Sequence, residues 1–177
     1  MHGRTGPLKA EPLKKRLWFS LPAVFTLAVL FVSLIPVSFT GYAGVRPCLI
    51  YIPVFYWAVF RPYSFSVRAA FLFGLILDYT NNEPLGINVL ILLLFYLTVQ
   101  SQRRFLMTKS FVSVWAGFSF LCFAVYCVKW FLTAVYYARF PYFLPVFFSW
   151  VLLVFLYPPI AGLCARTHFF LTEKEND

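Results

Sequence analysis

Six stretches of apolar residues alternate along the chain with short polar or basic segments. They span residues 17–37, 48–60, 67–79, 84–99, 111–137 and 142–165. A helix of about 20 apolar residues crosses the hydrocarbon core of a bilayer. The longest stretches reach that length, so the pattern predicts an all-α integral membrane protein with six transmembrane helices.

The second and third stretches are too short to cross a bilayer upright unassisted. Backbone polar groups at membrane depth must be satisfied within the protein, so such helices need support from their flanks or buried ends. We predict that they form a tight hairpin around a turn at 61–64. Pro84 suits the first turn of a fourth helix reaching about Val99, followed by a basic, polar loop at 100–110.

The first 16 residues are polar and basic. Two glycines and two prolines are expected to break any helix there: Gly3, Gly6, Pro7 and Pro12. The apolar stretch that follows has the charged flank of a signal peptide, but it is long and its best cleavage site, near Ser38 and Thr40, is weak. We therefore predict that it remains as the first span, and that a glycine- and proline-containing loop follows at 38–47.

The basic residues fall on one side of a six-span topology. With the N-terminus inside, the cytoplasmic segments carry Arg4, Lys9, Lys14, Lys15, Arg16, Arg61, Arg68, Arg103, Arg104, Lys109, Arg166 and Lys174. The external segments carry only Arg46 and Arg139, and Lys129 lies within the fifth span. Positive charge favours the cytoplasmic side. We predict a basic cytoplasmic tail at 1–16, a six-span domain at 17–166 and a cytoplasmic C-terminal tail at 167–177.

The composition supports this class and excludes others. Hydrophobic residues make up 62% of the 177 residues, charged residues only 12%, and the mean hydropathy is +0.79. Disordered and ordinary soluble chains are much less apolar. The net charge of +9 does not indicate nucleic acid, because the basic residues lie along the membrane face, where they meet anionic lipids.

The sequence offers little catalytic or metal-binding chemistry. The only possible carboxylate dyad is Asp78 with Glu83, and no histidine lies near it. The four cysteines lie within apolar runs and form no C-x-x-C pair: Cys48, Cys122, Cys127 and Cys164. They are expected to be packing residues. We predict no catalytic, metal or cofactor site, and that the protein is not an enzyme.

Lys129 is a charged residue within the predicted fifth span. An ionisable residue within a span is expensive and is usually paired or functional. One hypothesis pairs it with Asp78, at the end of the third span. The alternative is that the long side chain reaches out to the interface alone.

Small residues recur at four-residue spacing on two spans, as Ala70 with Gly74 and Ala161 with Ala165. Such spacing lets helix backbones approach closely in lipid. We favour internal packing over a partner interface for both pairs.

Several motifs occur together in the middle of the chain. They are Arg46-Pro47, Tyr56-Trp57-Ala58, Gly74-Leu75-Ile76-Leu77-Asp78, Pro84-Leu85-Gly86 and Arg103-Arg104. In order and spacing they resemble the bacterial rod shape-determining protein MreD family. In that family R-P opens the second span, Y-W lies within it, G-x-x-x-D closes the third and L-G opens the fourth. The resemblance covers residues 46–105.

The resemblance implies a fold similar to the substrate-binding subunits of energy-coupling-factor vitamin transporters. It also implies a non-enzymatic component of the cell-elongation machinery in the bacterial inner membrane, which helps maintain rod shape by organising lateral peptidoglycan synthesis. The implied partners are the single-pass protein MreC, the actin-like MreB, and a SEDS glycosyltransferase with its class B penicillin-binding protein.

A small-molecule-binding transport subunit on the same fold is the alternative. It needs an outer pocket with convergent polar groups, which Asp78, Asn81, Asn82, Glu83 and Lys129 offer. The scarcity of buried polar residues favours an interaction protein instead.

The segment 70–88 carries most of the candidate residues. The candidates for partner contact or packing are Ala70, Gly74, Asp78, Glu83, Gly86 and Lys129. We predict that this segment shapes the surface that holds the MreC-like partner near the outer leaflet. The alternative is that it only fixes the third and fourth spans against each other.

Overall fold

The computed structural model describes residues 11–33, 47–61, 65–81 and 83–173, with side chains described over 22–33, 47–61, 65–81 and 83–167. These residues form six helices: α1 (Glu11–Ser33), α2 (Tyr51–Phe60), α3 (Val67–Asn81), α4 (Ile87–Met107), α5 (Phe111–Tyr137) and α6 (Leu144–Glu173). The helical architecture is confirmed. The loop at 38–46, most of the turn at 61–64, and Asn82 lie outside the described residues.

Three helices are long and apolar enough to cross a membrane by themselves: α4, α5 and residues Leu144–Thr167 of α6. Two other apolar segments are shorter, Pro22–Ser33 of α1 and the whole of α2. The chain is therefore a helical membrane protein, and its division into six spans stays a prediction.

The short helix α2 lies at the centre of the bundle. Its ten residues are buried except for Phe60, and α1, α4 and α6 pack around it. Helix α3 packs mainly on α4, which also contacts α2 and thus lies between the two short helices. The predicted hairpin of α2 and α3 is wrong. The reason is that α2 is apolar all round and takes a central place, whereas α3 has one small-residue face suited to a single neighbour.

Aromatic rings join the central helix to its neighbours. The ring of Phe55 lies 6.4 Å from Phe95 of α4, 5.1 Å from Phe118 of α5 and 6.0 Å from Tyr157 of α6. The rings of Phe118 and Tyr157 stack at 4.3 Å. Offset and edge-to-face contacts of this kind stabilise a core beyond the area that they bury.

Several helix boundaries differ from the prediction. Pro12 lies in the first turn of α1 instead of stopping a helix, since that turn has no need of the proline N–H. Helix α4 begins at Ile87, three residues after Pro84, and continues through the predicted loop to Met107. Helix α6 extends to Glu173 and contains Pro158 and Pro159. By contrast, α5 has the predicted bounds.

The two ends of the bundle differ in charge. The end that contains the C-terminus of α4, here the Arg103 end, carries the basic side chains Arg61, Arg68, Arg103, Arg104, Lys109 and Arg166. The opposite end, here the Lys129 end, carries Lys129 and Arg139 together with the two described acidic side chains, Asp78 and Glu83.

Candidate functional site

Asp78 of α3 caps the N-terminus of α4. One carboxylate oxygen accepts a hydrogen bond from the Gly86 N–H at 2.7 Å, and the other accepts one from the Asn88 N–H at 2.8 Å. The first N–H groups of a helix lack partners within the helix, and its dipole favours a negative charge there. Asp78 is fully buried, so α3 and α4 are joined at this point by a carboxylate that water does not reach.

Gly86 provides the backbone conformation with which the chain enters α4. Its φ is +107°, in the left-handed region that glycine occupies without the strain imposed by a Cβ. The Ile87 N–H bonds to the Pro84 carbonyl at 3.3 Å, so Pro84 belongs to the turn before the helix. The N-terminus of α4 is therefore set by Asp78 and Gly86 and not by the proline.

Lys129 of α5 reaches the same place. Its Nζ lies 2.9 Å from Glu83 Oε2 and donates to Asn88 Oδ1 at 3.0 Å. The Asn88 side-chain amide donates to Glu83 Oε2 at 2.6 Å. We call Asp78, Glu83, Gly86, Asn88 and Lys129 the polar junction, because together they connect α3, α4 and α5.

The predicted pairing of Lys129 with Asp78 is wrong, and so is the alternative of a lone Lys129. Both oxygens of Asp78 are engaged by backbone amides, whereas the loop before α4 brings Glu83 to the lysine. Replacing Asp78 would therefore remove more than a charge. Without its carboxylate, two N–H groups at the start of α4 lose their acceptor.

Ala70 and Gly74 lie on the buried face of α3 that meets α4. A Cβ built on Gly74 would lie only 2.5 Å from the Cα of Val89, and Ala70 is fully buried. This pair thus acts in internal packing. In α6, Ala161 is buried but Ala165 is exposed, so that pair does not share one packed face.

A cavity of about 520 Å³ lies beside the polar junction at the Lys129 end. Its wall includes Asn81, Glu83, Tyr126, Lys129, Trp130 and Ser149. Asp78 lies behind this wall and does not line the cavity, and Asn82 is outside the described residues. Of the polar groups predicted to converge there, the structure places Asn81, Glu83 and Lys129 on the cavity wall.

Side chains from three other helices satisfy backbone groups at the ends of α2. The Cys48 N–H donates to Tyr126 Oη at 3.1 Å, and the Leu49 N–H donates to Ser33 Oγ at 3.3 Å. At the far end, Arg103 Nε donates to the Val59 carbonyl at 2.7 Å. Sequence reasoning missed these roles. The available signal was the shortness of α2, which requires outside partners for its end groups at membrane depth.

The chemistry of the site is that of hydrogen bonding and charge neutralisation. The ammonium of Lys129 and the carboxylate of Glu83 neutralise each other, and Asn88 bonds to both. Within the described ranges, no group of three His, Cys, Asp or Glu residues is arranged to hold a metal ion. The arrangement is suited to fixing helices and to binding polar groups that enter the cavity.

Comparison with known proteins gives one family. A family model described as "rod shape-determining protein MreD" matches residues 14–167. No curated protein and no solved structure matches the chain.

Proposed function

The chain belongs to the MreD family, whose model covers most of its length, and from this membership we propose that it is a non-enzymatic component of the bacterial cell-elongation machinery. As a family member it is a rod shape-determining membrane protein. In the proposed role it organises lateral peptidoglycan synthesis with an MreC-like single-pass protein, an MreB-like actin homologue, a SEDS glycosyltransferase and a class B penicillin-binding protein. The family match carries this proposal.

The transport alternative has less support. The match is to a shape-determining family and not to a transporter family. Lys129, Glu83 and Asn88 bond to one another where α3, α4 and α5 meet. Groups arranged in this way stabilise the junction of three helices, as an interaction protein requires. The fold resemblance to vitamin transporter subunits stays a prediction.

We propose that the chain crosses the inner membrane six times, with both termini in the cytoplasm. The charge distribution supports this orientation, because the Arg103 end carries six of the eight basic side chains described. Positive charge of this kind favours the cytoplasmic side. The Lys129 end then faces outward.

The exposed face of α3 is the proposed contact for the MreC-like partner. Ala70, Gly74 and Asp78 are buried against α4, so they act indirectly, by fixing the position of α3. The same segment exposes Leu72, Ile76, Tyr79 and Leu85. The first three are spaced as one face of a helix, and Tyr79 and Leu85 are exposed by 82% and 78%.

Partner recovery and cell shape test this proposal. Tyr79→Ala combined with Leu85→Ala removes two exposed side chains without touching the polar junction. In rod-shaped bacteria depleted of their own family member, we expect this variant to insert normally, to recover less MreC-like partner on purification, and to leave the cells rounded. The matched control is Phe120→Ala with Phe155→Ala, which removes two apolar side chains of similar exposure (78% and 73%) from α5 and α6.

Two results would contradict the proposal. Normal rods with full partner recovery in the α3 variant would exclude this face as the contact. Equal loss with both variants would show that exposed apolar side chains in general, and not the α3 face, hold the complex.

A further inference from the structure

The cavity at the Lys129 end has an ion pair on its wall, and both charged side chains stay partly exposed. Glu83 and Lys129 keep 28% and 23% of their side-chain surface exposed while lying 2.9 Å apart. We propose that this cavity binds a zwitterion, with its anionic group at Lys129 and its ammonium group at Glu83. The phosphoethanolamine headgroup of a phospholipid and a free zwitterion share this chemistry. The inference is independent of the role in cell elongation.

The paired charges select against singly charged ligands. An anion that approaches Lys129 also meets the carboxylate of Glu83, and a cation that approaches Glu83 meets the ammonium of Lys129. In a partly buried site such like-charge repulsion is poorly screened. A zwitterion can place each of its charges beside the opposite charge of the pair, so it is attracted by both Lys129 and Glu83.

Both members of the pair retain hydrogen-bonding capacity. A lysine ammonium has three donors, and Lys129 uses two of them, toward Glu83 and Asn88. In the part of the chain that the structure describes, the contacts of Glu83 fall on Oε2, which leaves Oε1 to accept from a ligand.

The rest of the wall suits an ammonium-bearing headgroup. Trp130 and Tyr142 line the cavity, and the faces of such rings attract organic cations. Thr133, which has a hydroxyl group, also lines the cavity. The volume of about 520 Å³ falls within the range of about 300–1,000 Å³ that is typical of small-molecule sites. The cavity also lies at the end of the bundle, where phospholipid headgroups are abundant.

Native mass spectrometry of the purified full chain tests the proposal. The protein is equilibrated with equal amounts of phosphatidylethanolamine and phosphatidylglycerol, and the bound lipids are counted. We expect phosphatidylethanolamine to be retained at least about tenfold over phosphatidylglycerol, which corresponds to about 1.4 kcal/mol. Equal retention of the two lipids would overturn the proposal, unless free O-phosphoethanolamine binds instead. That second probe is titrated alone, and its binding at millimolar concentration would identify a soluble zwitterion as the ligand.

Three double variants test whether the preference for phosphatidylethanolamine over phosphatidylglycerol depends on the ion pair. Glu83→Gln with Lys129→Gln removes both charges and is expected to abolish the preference. Glu83→Lys with Lys129→Glu exchanges them and is expected to restore it. The matched control, Arg104→Gln with Lys109→Gln, removes two exposed charges at the Arg103 end and is expected to change nothing. An unchanged preference in the neutral variant, or none in the exchanged variant, would refute the assignment.

A steric variant covers the case in which charge changes prevent folding. Thr133→Trp fills the cavity and leaves every member of the polar junction in place. We expect the melting temperature of the variant to stay close to that of the unmodified protein, and we expect the variant to lose the bound zwitterion. A folded Thr133→Trp protein that retains the zwitterion would place the ligand elsewhere and would refute the cavity as its site.

Discussion

Gly74 marks a close approach of two helix backbones, those of α3 and α4. The hydrogen that replaces a side chain there lets the α3 backbone approach Val89 of α4, so that a Cβ would meet the Val89 Cα at 2.5 Å. Helix association in membranes depends on such close packing, because lipid tails are as apolar as the side chains themselves. One residue thus controls how tightly α3 lies on α4.

Gly74→Ala is expected to force the two helices apart. An added methyl group in a packed site typically costs about 1–3 kcal/mol, and we expect the free energy of unfolding in detergent to fall by that amount. Gly162→Ala is the matched control, since a Cβ on Gly162 of α6 meets nothing within 4 Å. Equal stability of the two variants would contradict this close approach.

The ion pair between Lys129 and Glu83 predicts energetic coupling. In a double-mutant cycle of Glu83→Gln and Lys129→Met, we expect the losses in unfolding free energy to be non-additive by about 0.5–3 kcal/mol. Each single variant leaves one charge without its partner, so the double variant loses less than the sum. Glu83→Gln with Arg104→Gln is the control cycle, because these residues lie at opposite ends of the bundle. Additive losses in the first cycle would show that the pair is not formed.

The sequence indicated which charged residues matter but not how they pair. Asp78, Glu83 and Lys129 stood out because charges are rare within apolar stretches. The partner of Asp78 is the backbone of residues 86 and 88, and backbone amides have no signature in a residue pattern. The partner of Lys129 depends on the path of the loop before α4, which only the folded chain defines.

At the scale of a single element, α2 depends on neighbouring helices for hydrogen bonds at both of its ends. It has only ten residues, and its ends are hydrogen-bonded by side chains from α1, α4 and α5. Its burial brings apolar contacts on all sides. Those contacts are compatible with a short helix only because its end groups find donors and acceptors in neighbouring helices.

Arg103→Met is expected to loosen the C-terminal end of α2. The variant removes a charged donor from the Val59 carbonyl, and bonds of this kind contribute about 1.5–3 kcal/mol. Thermal unfolding in detergent is the measurement. Arg104→Met removes the same charge from the exposed neighbouring residue and should change stability by less than about 0.5 kcal/mol. If Arg104→Met lost as much stability as Arg103→Met, the effect would come from the lost charge and not from the bond to the Val59 carbonyl.

Element boundaries were predictable where the apolar pattern alone determines them. Helix α5 has the predicted bounds because it is a long apolar run between polar turns. The start of α4 was not predictable, since it is set by Asp78 from another helix. Its end was not predictable either. Residues 100–107 are polar enough to suggest a loop, yet they continue the helix and place Arg103 against α2.

At the scale of the whole molecule, the charge difference between the two ends predicts an orientation that labelling can measure. In a chain whose four cysteines are replaced, we expect an impermeant thiol reagent added outside intact cells to label Tyr142→Cys and not Gln102→Cys. Both positions are exposed, and they lie at opposite ends of the bundle. Both sites should react after the membrane is permeabilised. External labelling of Gln102→Cys would show that the Arg103 end faces outward and would contradict the proposed orientation.

The dependence of α2 on its neighbours also bears on how the protein is made. Arg103 and Tyr126 lie 44 and 78 residues beyond the backbone groups that they satisfy in and before α2. A ribosome therefore releases α2 well before the helices that complete its hydrogen bonds, and lipid offers the exposed end groups no substitute. During synthesis this segment has to wait at the insertion machinery or in contact with water until α4 and α5 arrive. Biogenesis is thus expected to be cooperative, and chains truncated after α3 should be degraded instead of accumulating in the membrane.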